Sequence, residues 1–582
     1  YPPRTIGAYK LAVYRNDQVD FSFSAEAALG GYFAPSEATL EASTGFSGAL
    51  TAAVSPGSRT IAVDGDTMND LTAGTTYVII GNDVDTNIGA DDLSLNSEIR
   101  RVVSFTGAGT SAGVITLSAP LGYPHVDNCT VKEADVDSGV IQGLGLPESG
   151  TTDVTMDHIR FTPGAWESIE VPDPTMEIEP RYFLGTGAKR AFYSAYKGQQ
   201  SFSGTLSNFE LLNGFPLRFP IGQVATKGEN KAGGDSVTVT PDIAPGDFHF
   251  LIAVESGYAI GDYIQVGVSD SGLEEVRKIV FIDTDAVSTA DRVFVDYPFL
   301  IAHAAGVVCN EVEAPFTHAI TETVELPSVT WQVKNNDSGE TAANVWLRRY
   351  IGGKIGQATL TAEEGGTLRM SWESAPFIDM QHNQYLYNEA SSDKAVNKYD
   401  AGLAAVTVEL PSTEPYYFSQ GSITMFGVEF ARITNFTINI NNNLEPRYFI
   451  RSDGSERTPS AIYEGRREYS MTATVVLPDS IAGATDTTRT LFKELLQEGD
   501  YGSGTAGFDI DLVFTRTAST DTFTINIPAN QDGASGIGGN NQGAFIRSAN
   551  TSISTENPVS TEVDILFRNM SATIVDSEPV YP

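Results

Sequence analysis

Cysteine is almost missing: Cys129 and Cys309 are the two thiols in a chain of 582 residues. Two cysteines cannot build a disulfide framework. Each lies in a different repeat described below, so both are expected to be buried or free, and the redox compartment is left open. No run approaches 18 apolar residues, which excludes a membrane-spanning helix. The first 30 residues lack the basic start and apolar stretch of a secretory signal. The chain starts at Tyr1 and not at Met, from which a processed or trimmed N-terminus is expected. Basic charge is scarce too: 36 Lys and Arg stand against 74 Asp and Glu, a net charge of -38 and a pI near 4.4. A grip on nucleic acid that works by neutralising phosphates needs clustered Lys and Arg, and this balance excludes it.

Only twelve of the basic residues are Lys, and the acids run along the whole chain instead of gathering in a tail. That distribution resembles adaptation to high salt, where self-repulsion is screened within about 3 Å at 1 M. What the chain has in quantity is glycine, 55 residues, and hydrophobic residues at 41%, with Thr, Ser and Val at alternating positions. This is the composition of short strands joined by tight turns, so the fold class is mainly β. The length implies three or four compact units, each with its own core.

Two repeats interleave along the chain. In the first, Ile178-Glu179-Pro180-Arg181-Tyr182-Phe183-Leu184 matches Leu444-Glu445-Pro446-Arg447-Tyr448-Phe449-Ile450, five consecutive residues being identical. Tyr196-Lys197-Gly198 then matches Tyr463-Glu464-Gly465, followed by alternating strands over 201–206 and 468–475. Beyond each, a short helix is expected, at 208–212 and at 491–496. Thr485 or Asp486 would cap the second and Gly499 would stop it. The second repeat is a module of about 80 residues with period-2 strands, expected to form a small barrel. Ile61-Ala62-Val63, Tyr77 to Gly81, Ser97 to Val103, Ile115-Thr116-Leu117, Pro120 and His125 recur as Ile252-Ala253-Val254, Tyr263 to Gly267, Glu274 to Val280, Val293-Phe294-Val295, Pro298 and His303. The resulting layout is a main domain over 1–45 and 134–222, an inserted barrel at 46–133, a second barrel at 223–313, and a second main domain at 314–582.

Residues 314 to 373 resemble the major tail tube proteins of long-tailed, siphovirus-like phages and of haloarchaeal tailed viruses. The resemblance is carried by Pro315-Phe316-Thr317-His318, Leu326-Pro327-Ser328-Val329-Thr330, Tyr350-Ile351-Gly352-Gly353-Lys354-Ile355-Gly356, Leu360 and Glu364-Gly365-Gly366-Thr367-Leu368. Residues 427 to 476 resemble that family as well. The resemblance implies duplicated tail-tube β-sandwich domains with a short helix each, to which the chain adds two small inserted β-barrel modules. It implies an arm that joins neighbours in a ring, with sheets from adjacent subunits completing an inner barrel around a channel. Two tube domains per chain would give homotrimeric rings of pseudo-sixfold symmetry, stacked into a tube. The implied partners are further copies of the chain and other tail proteins such as tape measure, baseplate and tail terminator. DNA would pass through an acid-lined lumen without specific binding, and no membrane and no cofactor are implied.

Candidate chemistry is thin. Gly109-Thr110-Ser111-Ala112-Gly113 has the string of a nucleophile elbow, but that motif needs a helix after the serine, and a strand pattern follows instead. A turn is expected there. His125 and His303 occupy equivalent places near Cys129 and Cys309, and two ligands per module are too few for zinc. Asp83, Asp85 and Asn87 form an acidic loop with oxygen ligands for Ca²⁺, yet it departs from the EF-hand pattern at Gly89 and Ser94, and a solvated loop is the first expectation. The glycine-rich stretch 533–543 lacks the Lys-Ser/Thr of a phosphate loop. Asn336-Asp337-Ser338 and Asn435-Phe436-Thr437 are glycosylation strings. No catalytic residue is assigned, and no enzyme activity is expected. The candidate assembly residues are Glu179, Arg181, Tyr182, Glu445, Arg447 and Tyr448, with the arginines bridging to acids and the aromatics packing at a junction. The reading is a virion tail tube protein. A distal tail or baseplate ring protein is the alternative, and a surface glycan-binding or adhesin protein of tandem β-modules is the alternative of another class.

Overall fold

The structure is a computed structural model. It describes residues 19–29, 41–54, 58, 60–73, 76–81, 98–117, 125, 127–135, 161–182, 192, 194–239, 242–247, 249–253, 257–259, 261–267, 272–287, 290–335, 346–382, 413–425, 428–429, 433–449, 458–476, 508–519, 521–528, 543–553 and 559–581. Its fold is mainly β, as the composition requires. Strands such as Glu468–Val476 alternate one buried and one half-exposed residue along their whole length, which is the period-2 signature of a sheet with one covered face.

The largest body is a sandwich. Its first layer is a nine-stranded antiparallel sheet. The path runs Phe545–Ser552, Ser560–Phe567, Glu468–Val476, Ile433–Asn441, Gln357–Glu363, Arg369–Phe377, Ser194–Glu210, Ser168–Glu170, with Thr175–Arg181 attached beside Ser194–Glu210. The second layer comprises a four-stranded sheet, Val19–Ala25, Val329–Asn335, Trp346–Gly353 and Asp379–His382, and the strands Ser571–Asp576, Thr522–Ile527, Ile510–Thr515 and Gly421–Met425 of a twelve-stranded sheet. Aromatic pairs cross the gap: Trp331 stacks on Trp372 with centroids 5.9 Å apart, and Phe436 meets Phe514 at 6.1 Å. One hydrophobic core runs from Phe21 to Tyr581 through both layers. The two main segments therefore do not have separate cores. A strand of the first, Ser194–Glu210, pairs with Arg369–Phe377 of the second.

Among the described residues each small module has its own core, of 13 buried residues in either case. The first closes as a barrel through Glu41–Leu50, Thr60–Gly65, Ala112–Leu117, Glu98–Phe105, Tyr77–Gly81 and Thr130–Asp135. The second repeats the same cyclic order with Ser236–Thr238, His249–Ala253, Ala290–Val295, Glu275–Val287, Tyr263–Val266 and Val308–Glu322. Its last closure is one bridge, Val239 to Ile252. His125 and His303 make equivalent bridges, to Val54 and Ile243. Both cysteines are buried in these modules.

The helix expected at 208–212 is absent. Residues 208–210 end the strand Ser194–Glu210, 211 and 212 follow it, and the next α-helix is Arg218–Ile221. The alternation breaks there because of a bulge: register slips between Leu206 and Phe209, and Asn208 sits at φ 54° with its N–H donated to Ser371 Oγ at 2.9 Å. A bulge inserts one residue and so converts a period of two into an apparent step of three. The helix expected at 491–496 lies outside the described residues.

Candidate functional site

The paired Glu-Pro-Arg-Tyr segments form two hairpin arms. In the first, Arg181, Pro180 and Glu179 face Ser194, Ala195 and Tyr196. In the second, Arg447, Pro446 and Glu445 face Ala461, Ile462 and Tyr463. The register is the same in both. Proline is tolerated at both arms because each is a two-stranded ribbon with a free side, where a missing N–H costs no ladder bond.

The arms leave large apolar groups in solvent. Ile178, Tyr182, Phe192 and Tyr196 are each more than half exposed on the first, and Phe449 and Tyr463 are about half exposed on the second. Arg181 lies over the Tyr196 ring at 4.2 Å, a cation–π contact, and among the described residues it meets no acidic partner. Arg447 does pair with an acid, Glu445 of its own strand, at 2.6 Å in solvent, where such pairs contribute little. Tyr448 turns to the first arm's strand and donates its hydroxyl proton to the Gln200 carbonyl at 2.9 Å. Tyr182, its counterpart, is exposed.

A polar hub holds the root of the second arm. Glu464 accepts from Lys354 at 2.7 Å and from the Leu326 N–H at 2.8 Å. Arg467 pairs with Glu322 at 2.8 Å and donates to Asn442 Oδ1 at 2.9 Å. The buried Asn442 amide in turn donates to the carbonyls of Pro220 and Ile355. A buried network with its bonds made in this way rigidifies what it joins.

The face of the nine-stranded sheet that no described strand covers is polar. Thr359, Thr437, Asn439 and Thr472 stand on it in adjacent strands, with Glu363, Glu373 and Glu468 among them. The sheet path ends at Ser168–Glu170 on one side and at Phe545–Ser552 on the other. Sequence reasoning missed these two edges, whose signal was the continuation of the repeat on either side of the Glu-Pro-Arg-Tyr match.

Elsewhere the chemistry is structural. Ser111 sits in a turn ahead of the strand Ala112–Leu117, with Thr110 Oγ1 donating to the Gly107 carbonyl at 2.6 Å. His125 Nδ1 lies 3.8 Å from Cys129 Sγ, whereas His303 Nε2 lies 3.1 Å from Glu275. Among the described residues no group of three His, Cys, Asp or Glu side chains is placed to hold a metal. Burial pushes the Cys309 thiol up to about 12. Asp83, Asp85, Asn87, residues 533–542 and Asn336-Asp337-Ser338 lie outside the described residues. Asn435-Phe436-Thr437 lies within an interior strand, with Phe436 in the core.

Residues 187–568, well over half of the chain, match the family described as phage tail tube protein. No curated protein matches. Among solved structures, the chain is similar to the tube-terminating cap of an anti-feeding prophage, with 9% identity and a TM-score of 0.19 over 28% of this chain and 94% of that one. It is also similar to a chain from the virion of a native gene transfer agent particle, with 12% identity and a TM-score of 0.17 over 26% of this chain and 92% of that one.

Proposed function

The chain belongs to the phage tail tube protein family, and from that premise we propose that it forms the stacked rings of a viral tail tube, a passive conduit for DNA ejection into the host. It is a structural protein of the virion tail. The observation that carries the finer reading is the nine-stranded sheet, with its apolar face covered, its polar face bare and its path open at both ends. Unpaired sheet edges seek partners, and a heterologous contact that closes on itself makes a ring. The two arms of identical register support two tube units per chain, so that a homotrimer makes a ring of pseudo-sixfold symmetry. The bare polar face then lines the lumen, where its carboxylates repel phosphate and its hydroxyl and amide groups stay hydrated. The arms join neighbours, and tape measure, baseplate and tail terminator proteins are met at the lumen and the two ends. The task is assembly and passage, with no bond made or broken.

Negative-stain electron microscopy of the purified chain at low and high salt tests this. Hollow tubes of uniform width, or stacked rings, are expected. Isolated rings that never stack favour the distal tail or baseplate alternative, and a dispersed monomer at every salt concentration refutes the ring reading.

A further inference from the structure

The nine-stranded sheet contains the same four-stranded unit twice. Phe545–Ser552, Ser560–Phe567, Glu468–Val476 and Ile433–Asn441 lie in one order, and Gln357–Glu363, Arg369–Phe377, Ser194–Glu210 and Ser168–Glu170 follow in the same order. Registers agree where the four strands of each unit face one another, at one sequence offset for the first strand pair and a second offset for the other. Ile169 and Glu170 face Leu206 and Thr205, and Phe436 and Thr437 face Ala473 and Thr472. Leu206 faces Trp372, which faces Ala358; Ala473 faces Val563, which faces Ala549. The second layer agrees as well: the hairpin Val329–Asn335 with Trp346–Gly353 falls in sequence between Ser194–Glu210 and Gln357–Glu363, and the hairpin Ile510–Thr515 with Thr522–Ile527 falls between Glu468–Val476 and Phe545–Ser552. On this division the first unit comprises 19–25, 168–210 and 329–382, with both barrels inserted into it, and the second comprises 421–576.

Inside the chain the two units meet where Ile433–Asn441 pairs with Gln357–Glu363, placing Phe436 opposite Ala362 and Thr437 opposite Thr361. The edges equivalent to these two strands are Ser168–Glu170 and Phe545–Ser552, the places where the sheet path ends. We propose that these edges pair antiparallel between successive copies of the chain in the register of the internal junction, with Ile169 opposite Ile553 of the next copy and Glu170 opposite its Ser552. This rests on the ring reading above and names the strands that close the ring.

Two exposed residues fit. Ile553 is 80% exposed, yet its counterpart Ala362 is 3% exposed because the internal junction covers it. An isoleucine at a sheet edge is left bare only until a neighbouring strand arrives. Tyr182 is 68% exposed, whereas its counterpart Tyr448 is tied to the Gln200 carbonyl. Gln200 corresponds to Arg467, so Tyr182 donates to the Arg467 carbonyl of the next copy. Both contacts point the same way around the ring, from the first unit of one copy to the second unit of the next.

Paired cysteines test the register. Directly opposite residues of an antiparallel pair have Cβ atoms about 4.5–5.5 Å apart, close to disulfide reach, and Cys129 and Cys309 are buried and do not compete. Full-length chain carrying Ile169→Cys and Ile553→Cys, assembled and then oxidised, is expected to run as covalent oligomers on a denaturing gel, returning to single chains on reduction. Ile169→Cys with Asn550→Cys, out of register, is expected to stay uncoupled. In a second measurement, Tyr182→Ala is expected to raise the concentration needed for assembly at least tenfold while leaving the melting temperature of the unassembled chain unchanged. Rings in the microscope without in-register coupling, or with equal coupling of the out-of-register pair, overturn this pairing and leave the tail-ring reading standing. Absence of rings overturns both.

Discussion

The Tyr448 hydroxyl and the Gln200 carbonyl lie 2.9 Å apart across 248 residues of sequence, binding the second arm to the strand from which the first arm grows. Such a bond contributes about 0.5–1.5 kcal/mol net. Tyr448→Phe keeps the ring and removes the donor, so unfolding free energy is expected to fall by about 1 kcal/mol and amide exchange across 445–449 to speed up. Unchanged exchange in that stretch would show that the bond does not hold the arm.

Trp372 sits at the centre of the sandwich, in contact with Phe23, Phe209, Phe219 and Trp331. Trp372→Ala is expected to cost roughly 3–5 kcal/mol, since the surrounding rings cannot all collapse into the space left. Trp372→Phe should recover more than half of that. Denaturant midpoints compared at equal slope decide the matter, and a loss under 1 kcal/mol contradicts a single shared core at this position.

Asn442 is buried, and its side chain is bonded to Pro220, Ile355 and Arg467. Asn442→Leu keeps the volume but removes the donor to two carbonyls and the acceptor of the Arg467 Nε–H. A loss of about 1–3 kcal/mol for each unsatisfied group is expected, together with loosening of the second arm in hydrogen exchange. A variant as stable as the parent would remove the hub from the account of arm placement.

Glu275 is buried against Arg277 at 2.5 Å and accepts from the N–H groups of Leu300 and Ile301. Burial by itself would raise its carboxyl, but Arg277, His303 and the Leu300 N–H outweigh it and hold the group below the usual carboxylate range. A carboxyl depressed on folding stabilises the fold above its unfolded pKa, and that stability is lost as pH falls through the folded value. Glu275→Gln is expected to cost roughly 3–5 kcal/mol at pH 7 by leaving Arg277 without its partner, with the gap to the parent narrowing below about pH 4. Equal gaps at pH 7 and pH 3 would contradict the sign.

With a net charge of -38, self-repulsion loosens the fold in dilute buffer. Raising potassium chloride from about 0.1 M to about 1 M shortens the screening length from roughly 10 Å to roughly 3 Å, and the melting temperature is expected to rise. A flat or falling melting curve across that range would dismiss the high-salt reading.

Much of the fold was legible in the residues. Alternation in stretches such as 468–476 reports a half-covered strand because side chains point to opposite faces with a period of two. The two recurring modules marked the barrels, and the paired Glu-Pro-Arg-Tyr segments marked a repeat, since a duplicated sequence repeats its local preferences. The stretch 208–212 misled, because a bulge at Asn208 breaks the period of two and is set by a partner strand far away in sequence.

The sequence by itself determined the class, the acidity and the existence of the repeats. These are local or summed properties, written in composition and period. Only the tertiary structure decided that the main segments share one core, that Arg369–Phe377 lies beside Ser194–Glu210, and that Ser168–Glu170 and Phe545–Ser552 are the ends of the sheet. Which strand neighbours which depends on contacts between residues hundreds of positions apart, whose burial is a property of the whole packed sandwich and of no single segment.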